Sequence, residues 1–173
     1  MRAKVQVGVC IVNPDAIRLT SEGMAFTCQQ IAASELGLMQ ELLEVFSEAF
    51  EDPKSYRSAV PSDEYLKSLL SKPSLIALVG LSDERVVGGL VAYVLEKFEQ
   101  ERSEVYIYDL AVAESHRRQG IATALIRLLQ HIAKERGAYV IYVQADLVDE
   151  PAIRLYQSLG TREDVLHFDI PVE

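Results

Sequence analysis

The stretch Asp109-Leu110-Ala111-Val112-Ala113-Glu114-Ser115-His116-Arg117-Arg118-Gln119-Gly120-Ile121-Ala122-Thr123 decides the fold. Its first residues end a strand-like run, Glu104–Val112. Ile121 then opens an apolar stripe that continues through Leu125, Leu128, Leu129 and Ile132 at helical spacing. A strand therefore turns through a short loop into a helix of about 16 residues, ~24 Å long. The first amides of such a helix have no internal acceptor, and its dipole places about half a positive charge there. That end suits pyrophosphate. Gly120 and the small Ala122 leave room for phosphate oxygens, Arg117 and Arg118 add guanidinium charge beside Gln119, and Thr123 offers a hydroxyl. The alternative is a solvated surface loop; its place between a buried strand and an amphipathic helix favours an anion cradle. With no Gly-Lys-Ser/Thr and no second glycine pair, the stretch is neither a Walker loop nor a dinucleotide fingerprint.

Working outward, Met24–Ile31 reads as a strand, and Ser34 as the N-cap of a helix carrying Leu36, Met39, Leu42, Leu43 and Phe46. Glu51-Asp52-Pro53 breaks the chain. Ser62 starts a second helix, with Asp63 and Glu64 in its first turn, and Pro73 ends it. Leu75–Leu81 and Val86–Leu95 form an antiparallel hairpin about the tip Ser82-Asp83-Glu84-Arg85. Gly88-Gly89 inside the second strand predicts a bulge or a close backbone approach. Gly137 closes the long helix. Tyr139–Ala145 alternates poorly and is expected to be a strand buried on both faces. A short helix runs from Pro151 to Leu159 and stops at Gly160, and Val165–Ile170 is a last strand. Residues 25–173 make one mixed α/β domain. Residues 1–24 are an N-terminal extension of uncertain order, in which Val5–Val12 suits a strand and Asn13-Pro14-Asp15 a turn.

Composition narrows the function. The chain has 173 residues, which suits one domain. Its 17 Lys and Arg stand against 26 Asp and Glu, a net charge of −9, so no basic field draws it to nucleic acid. An acidic surface serves solubility or attracts cationic ligands. No apolar run approaches the ~18 residues of a membrane helix. Arg2 and Lys4 precede a stretch interrupted by Gln6 with no cleavage pattern, so a cytoplasmic location is expected. Cys10 and Cys28 are too far apart for a metal or redox pair and read as free, buried thiols. His116, His131 and His167 lack ligand spacing, and no metal is expected. Tyr106 and Tyr108 read as sheet packing.

Arg117-Arg118-Gln119-Gly120-Ile121-Ala122 resembles the Arg/Gln-x-x-Gly-x-Gly/Ala hallmark of the GNAT superfamily of acetyl-CoA-dependent N-acetyltransferases. A second block of that family, Asn-x-x-Ala-x-x-x-Tyr-x-x-x-Gly-Phe, is similar to Asp149–Thr161, with Ala152 and Tyr156 in register. Asp149 stands for the usual Asn and Thr161 for the aromatic. The segments 93–100, 106–112, 137–146 and 167–170 further resemble the gentamicin-type aminoglycoside 3-N-acetyltransferases, over about residues 27–170. The resemblance implies a single-domain GNAT fold, a mostly antiparallel mixed sheet splayed between its fourth and fifth strands. It implies acetyl-CoA amides pairing along Leu110, Ala111 and Val112, direct acetyl transfer to a bound amine, Tyr156 beside the departing thiolate, and a possible homodimer.

A polycationic aminoglycoside requires carboxylates, and Asp109, Asp146, Asp149 and Glu150 are the candidates for its site. Glu51, Asp52, Glu99, Glu101 and Glu104 lie on neighbouring segments. An ordinary carboxylate at ~3.9 taking a proton from an ammonium at ~8 works uphill by about 4 pH units. Asp109 is therefore read as an anchor that relays the proton through water, unless burial makes it a base. Tyr156 is read as a hydrogen-bond donor to sulfur as readily as a full acid. A polyamine acetyltransferase and a non-catalytic acyl-CoA-sensing module are the other readings.

Overall fold

The structure, a computed structural model, describes residues 25–172 in full and the backbone of residues 8–13 and 16–20. Leu75–Ser82 and Arg85–Glu96 pair antiparallel from Ser82↔Arg85 to Leu75↔Tyr93, as the hairpin pattern predicts. The two tip residues, Asp83 and Glu84, both have positive φ (48° and 63°), the conformation that matches strand twist in a two-residue turn. In chain order the strands are β1 (Gly8–Asn13), β2 (Ala16–Thr20), β3 (Thr27–Gln30), β4 and β5 (the hairpin), β6 (Ser103–Val112) and β7 (Ala138–Val143). They form one sheet in that same order, antiparallel throughout except for the parallel pair β6–β7. β1 and β2 carry the sheet upstream of the Met24–Ile31 expectation, of which Thr27–Gln30 is the observed strand. Pro14, Asp15 and Met24 lie outside the described residues, as does most of the start of Val5–Val12.

Helices cover both faces. Ile76, Leu78 and Gly80 alternate onto the face of α4 (Ile121–Glu135), where an added Cβ on Gly80 would meet the Ile121 side chain at 2.8 Å. Leu90, Ala92 and Ile107 join them through the ladder, and Leu125, Leu128 and Leu129 of α4 are fully buried. Gly137 follows α4 with φ 71°, the left-handed residue expected at its end. On the other face, α1 (Leu36–Ala49) and α3 (Asp63–Leu70) pack Met39, Leu42, Phe46 and Leu66 against Leu75, Ala77, Val79 and Val91. Ser62 caps α3 as expected, its Oγ accepting from Tyr65 N–H at 3.2 Å. Ser34 does not cap α1. Glu35 stands at that position, and its carboxylate turns back to accept from Ala32 N–H at 2.9 Å and Gln29 Nε2 at 3.2 Å. The break at Glu51-Asp52-Pro53 is the start of a further short helix, α2 (Pro53–Arg57), with Asp52 accepting from Ser55 N–H at 3.0 Å.

The Gly88-Gly89 expectation holds in both its parts. Gly80↔Gly88 is followed by Leu81↔Val86, so Val87 is an extra residue on β5. A Cβ on Gly89 would lie 2.6 Å from the Leu78 carbonyl oxygen, with Leu42 of α1 closer still. α1 therefore sits directly on bare backbone.

β7 corrects one expectation. Tyr139, Val140 and Tyr142 are exposed; only Ile141 and Val143, opposite Val105 and Ile107, share in the α4 face. The run is apolar, but it is the last strand of the sheet and gains cover on one face alone.

Met1–Val143 and Gln144–Glu173 are separate compact units. In the second, α5 (Glu150–Gln157) is the observed short helix, and Gly160 N–H closes on the Tyr156 carbonyl at 2.8 Å. Val165–Ile170 is not a strand. Residues 161–172 have no ladder partner among the described residues, and Val165, Phe168 and Ile170 are exposed at 71%, 76% and 86%. Alternating apolar residues supply propensity, but a strand exists only by pairing, and this unit contains no other strand among the described residues.

Because Gly89 meets rigid backbone as well as a side chain, Gly89→Ala is expected to cost about 1–3 kcal/mol. A denaturant midpoint unchanged from the parent's would show that α1 does not rest there.

Candidate active site

β6 carries one residue too many for its partner. Val91 pairs with Asp109 and Ala92 with Ile107, leaving Tyr108 as the bulged residue between them. Adjacent residues of β5 face opposite ways, so Ile107 and Asp109 must too. Unbulged, period-two alternation would put Asp109 with Ile107 in the α4 core; the extra residue turns it to the side of α1. There it is half-buried, and burial raises its carboxyl above the usual carboxylate range. The nearby Tyr56 hydroxyl works in the opposite direction.

The bulge also marks where the sheet opens. β6 pairs with β7 from Ser103↔Ala138 to Ile107↔Val143 and no further. From Tyr108 to Val112 the β7-facing edge of β6 has no ladder partner among the described residues. This is the expected splay, and it leaves the edge-facing backbone groups of Leu110 and the amide of Val112 without a strand partner on that side, while Ala111 bonds toward β5.

That free edge leads into the predicted cradle. A single 3-10 turn, Glu114–His116, is followed by Arg118 with φ 64° and Gly120 with φ 90°. Gly120 is the N-cap of α4, and nothing lies within 4 Å of where its Cβ would stand. The first bond of the helix runs from Ala124 N–H to the Gly120 carbonyl at 2.9 Å, so the amides of Ile121, Ala122 and Thr123 project from its end. Arg118 is exposed beside them. Arg117 is committed otherwise, its Nε donating to the Val112 carbonyl at 3.1 Å, and Gln119 Nε2 donates to the Ser115 carbonyl at 3.3 Å. These two side chains brace the loop, and the open backbone with Arg118 is the part left free of such contacts.

Tyrosines gather on the Asp109 side. Tyr93 of β5 meets Tyr108 edge-on at 5.8 Å, Tyr106 meets Tyr108 at 6.0 Å, and Tyr106 stacks on Tyr142 at 5.0 Å. Tyr106 and Tyr108 do pack on the sheet, as expected, and they also line the approach to the carboxylate. Helix α2 and its Tyr56 are not among the elements expected from the sequence. The Asp-Pro pair at 52–53 is the signal for them: a capping side chain followed by a residue preset for the first turn is a helix-start signature.

Most of the other acids have local partners. Glu104 accepts from the Tyr139 hydroxyl and pairs with Lys97 at 3.3 Å, while Glu99 lies 3.5 Å from both Lys97 and Arg102. Asp52 serves as a cap and Glu51 is exposed. In the second unit, Asp149 caps α5 by accepting from Ala152 N–H at 3.1 Å, Glu150 pairs with Arg154 at 2.7 Å, and Asp146 is exposed. Asp149 thereby fills the capping role an Asn would take. Tyr156 is half-buried on α5, and burial together with the nearby Asp149 carboxylate pushes its phenol up to about 12. Among the described residues no group of three or more His, Cys, Asp or Glu side chains gathers to hold a metal, and Cys28 is free and buried. No helix among them is long and apolar enough to cross a membrane.

Comparison with known proteins agrees with this geometry. The Acetyltransferase (GNAT) family profile matches residues 38–161. The chain is 32% identical over 97 residues to the human protein N-acetyltransferase 8, a match spanning 56% of this chain and 43% of that protein. It thus spans less than half the length of the curated relatives it matches. Among solved structures, an aminoglycoside acetyltransferase from an uncultured soil metagenomic sample is 55% identical, with a TM-score of 0.85 over 87% of this chain and all of that one. A second, solved in complex with sisomicin, is 32% identical, with a TM-score of 0.80 over 86% and 97% of the two chains. The cradle, the opened edge and the profile match over most of the chain lead to one assignment: this protein is a member of the acetyltransferase (GNAT) family.

Proposed function

We propose that the protein transfers an acetyl group from acetyl-CoA to an amine of an aminoglycoside, at the 3-N position by resemblance, giving resistance to the antibiotic. The observation that carries this is the free edge of β6 running from a half-buried Asp109 into the unobstructed amide end of α4. Structures of aminoglycoside acetyltransferases at 55% and 32% identity support the acceptor class. A cationic acceptor also suits the net charge of −9.

The residues present fit the cofactor. The amides of Ile121–Thr123 and Arg118 suit its pyrophosphate, and the β6 edge from Leu110 to Val112 suits the amides of its arm. Acetyl-CoA supplies an activated acyl carbon, which the amine attacks directly. Asp109 holds the acceptor's ammonium and takes up or relays its proton. Burial narrows the gap between carboxylate and ammonium, so Asp109 is a better base than an exposed aspartate. Tyr156 works differently. A phenol at about 12 giving its proton to a thiolate whose thiol lies at ~8.5 is uphill by roughly 3.5 pH units, about 5 kcal/mol. Its role is a hydrogen bond that stabilises charge growing on sulfur.

Purified protein with acetyl-CoA should release free thiol with gentamicin, sisomicin or kanamycin and far less with spermidine or a peptide amine. Thiol release with spermidine alone would reassign the acceptor. Gly120→Ala forces a Cβ into the left-handed region at a cost of about 1–2 kcal/mol and is expected to weaken CoA binding in calorimetry roughly tenfold. The carboxylate form of Asp109 does the work, so kcat/KM should fall as pH drops through its raised pKa. Asp109→Asn should abolish that acid limb and lower the rate about 100-fold. Tyr156→Phe is expected to lower kcat more than it changes acetyl-CoA affinity; an unaltered kcat refutes its role.

A further inference from the structure

We propose that Tyr108 determines which acceptors this site takes: set beside the Asp109 carboxylate by the β6 bulge, its ring receives the face of a sugar ring that bears an ammonium, so amino sugars are preferred to linear amines. The inference rests on the aminoglycoside reading above and assigns the selection within it to one residue.

Consecutive residues of a regular strand face opposite ways, which would put a carboxylate and the ring next to it in sequence on opposite sides of the sheet. Here they share a side. Asp109 stands opposite Val91, which is buried in the core beneath α1. Tyr108 meets Tyr93, a residue packed on that same core, with ring centroids 5.8 Å apart and planes at 87°. It also meets Tyr106, the ladder partner of Tyr93, at 6.0 Å and 83°. Only the extra residue in β6 permits this, and it sets a charge and an aromatic ring side by side.

Folding does not use the ring up. Tyr108 is 62% exposed although β6 lies between two other strands. Beyond it Tyr106 stacks on Tyr142 at 5.0 Å with 21° between planes, and Tyr142 is itself exposed. The four rings thus form an open aromatic surface beside a carboxylate, not a closed core. Such a surface suits a cation, because an aromatic face attracts an ammonium within about 6 Å of its centroid. Asp109 has no ion-pair partner among the described residues. A neutral or anionic ligand would leave that half-buried charge unanswered. The C–H face of an amino sugar covers the ring while its ammonium reaches the carboxylate; a linear amine answers the charge alone.

Tyr108→Leu removes the aromatic face and keeps an apolar side chain, whereas Tyr108→Phe keeps the face and removes only the hydroxyl. With acetyl-CoA saturating, Tyr108→Leu should raise KM for sisomicin about tenfold, with a much smaller change in kcat. The preference for sisomicin over spermidine in kcat/KM should shrink by a similar factor, and Tyr108→Phe should restore it. An unchanged sisomicin KM in Tyr108→Leu overturns the proposal. So does a loss confined to kcat, an equal loss for sisomicin and spermidine, or a loss in Tyr108→Phe as large as in Tyr108→Leu, which would place the effect in the hydroxyl. Should Tyr108→Leu fail to fold, the parent is read directly by NMR. The tyrosine ring signal missing from Tyr108→Phe should shift when sisomicin is added in the presence of CoA, and an unshifted signal overturns the proposal. A parent that acetylates spermidine and no aminoglycoside overturns the proposed function, and this selection with it. A parent that acetylates sisomicin, with Tyr108→Leu unimpaired, overturns the role of Tyr108 alone.

Discussion

Everything at the site depends on a single extra residue in β6. Tyr108 has no partner on β5, and the strand absorbs it by bending and reversing the faces of Asp109 and the residues after it. Three results come from that one irregularity. Asp109 leaves the α4 core, the ladder to β7 ends at Ile107, and the edge beyond has no strand partner on that side among the described residues up to the loop that begins α4. A half-buried carboxylate and an open strand edge are each costly in a folded protein. Their occurrence on neighbouring residues of one strand is what singles this place out as the candidate site.

The parts of this arrangement differ in how they are written in the sequence. The cradle is local. Strand, tight loop, Gly120 and an amphipathic helix are consecutive, so the open end of α4 is legible from residues 104–137 alone, and so is the hairpin from its tip at 83–84. The closing glycine at 137 and the cap at Ser62 follow the same rule of near neighbours. Long-range pairing is another matter. Nothing in Val165–Ile170 tells whether an edge awaits it, and the run is exposed. Tyr139–Val143 is apolar enough for a central strand yet ends the sheet, which only the topology decides. Ser34 is a good capping residue passed over because Glu35 reaches back to Gln29 and Ala32.

The bulge was invisible for the same reason. Glu104–Val112 reads as an unbroken strand, since an extra residue is defined only against the partner strand. Gly88-Gly89 offers a hint because glycine in a strand always requires an explanation, and the explanation is Leu42 and the Leu78 carbonyl. Tyrosine offers no such hint. Likewise Arg117 and Gln119 belong to the family's motif, yet their side chains hold the loop's own carbonyls, and the motif records a loop shape as much as a set of ligands.

α2 buries none of its five residues. Substitutions at the surface of a helix that contributes so little to the core cost little stability. The root of α4 is built differently, with Ile121 and Leu125 buried in the core. Residues of the peripheral turn at α2 can therefore be exchanged at small cost, whereas a change at the root of α4 first endangers folding.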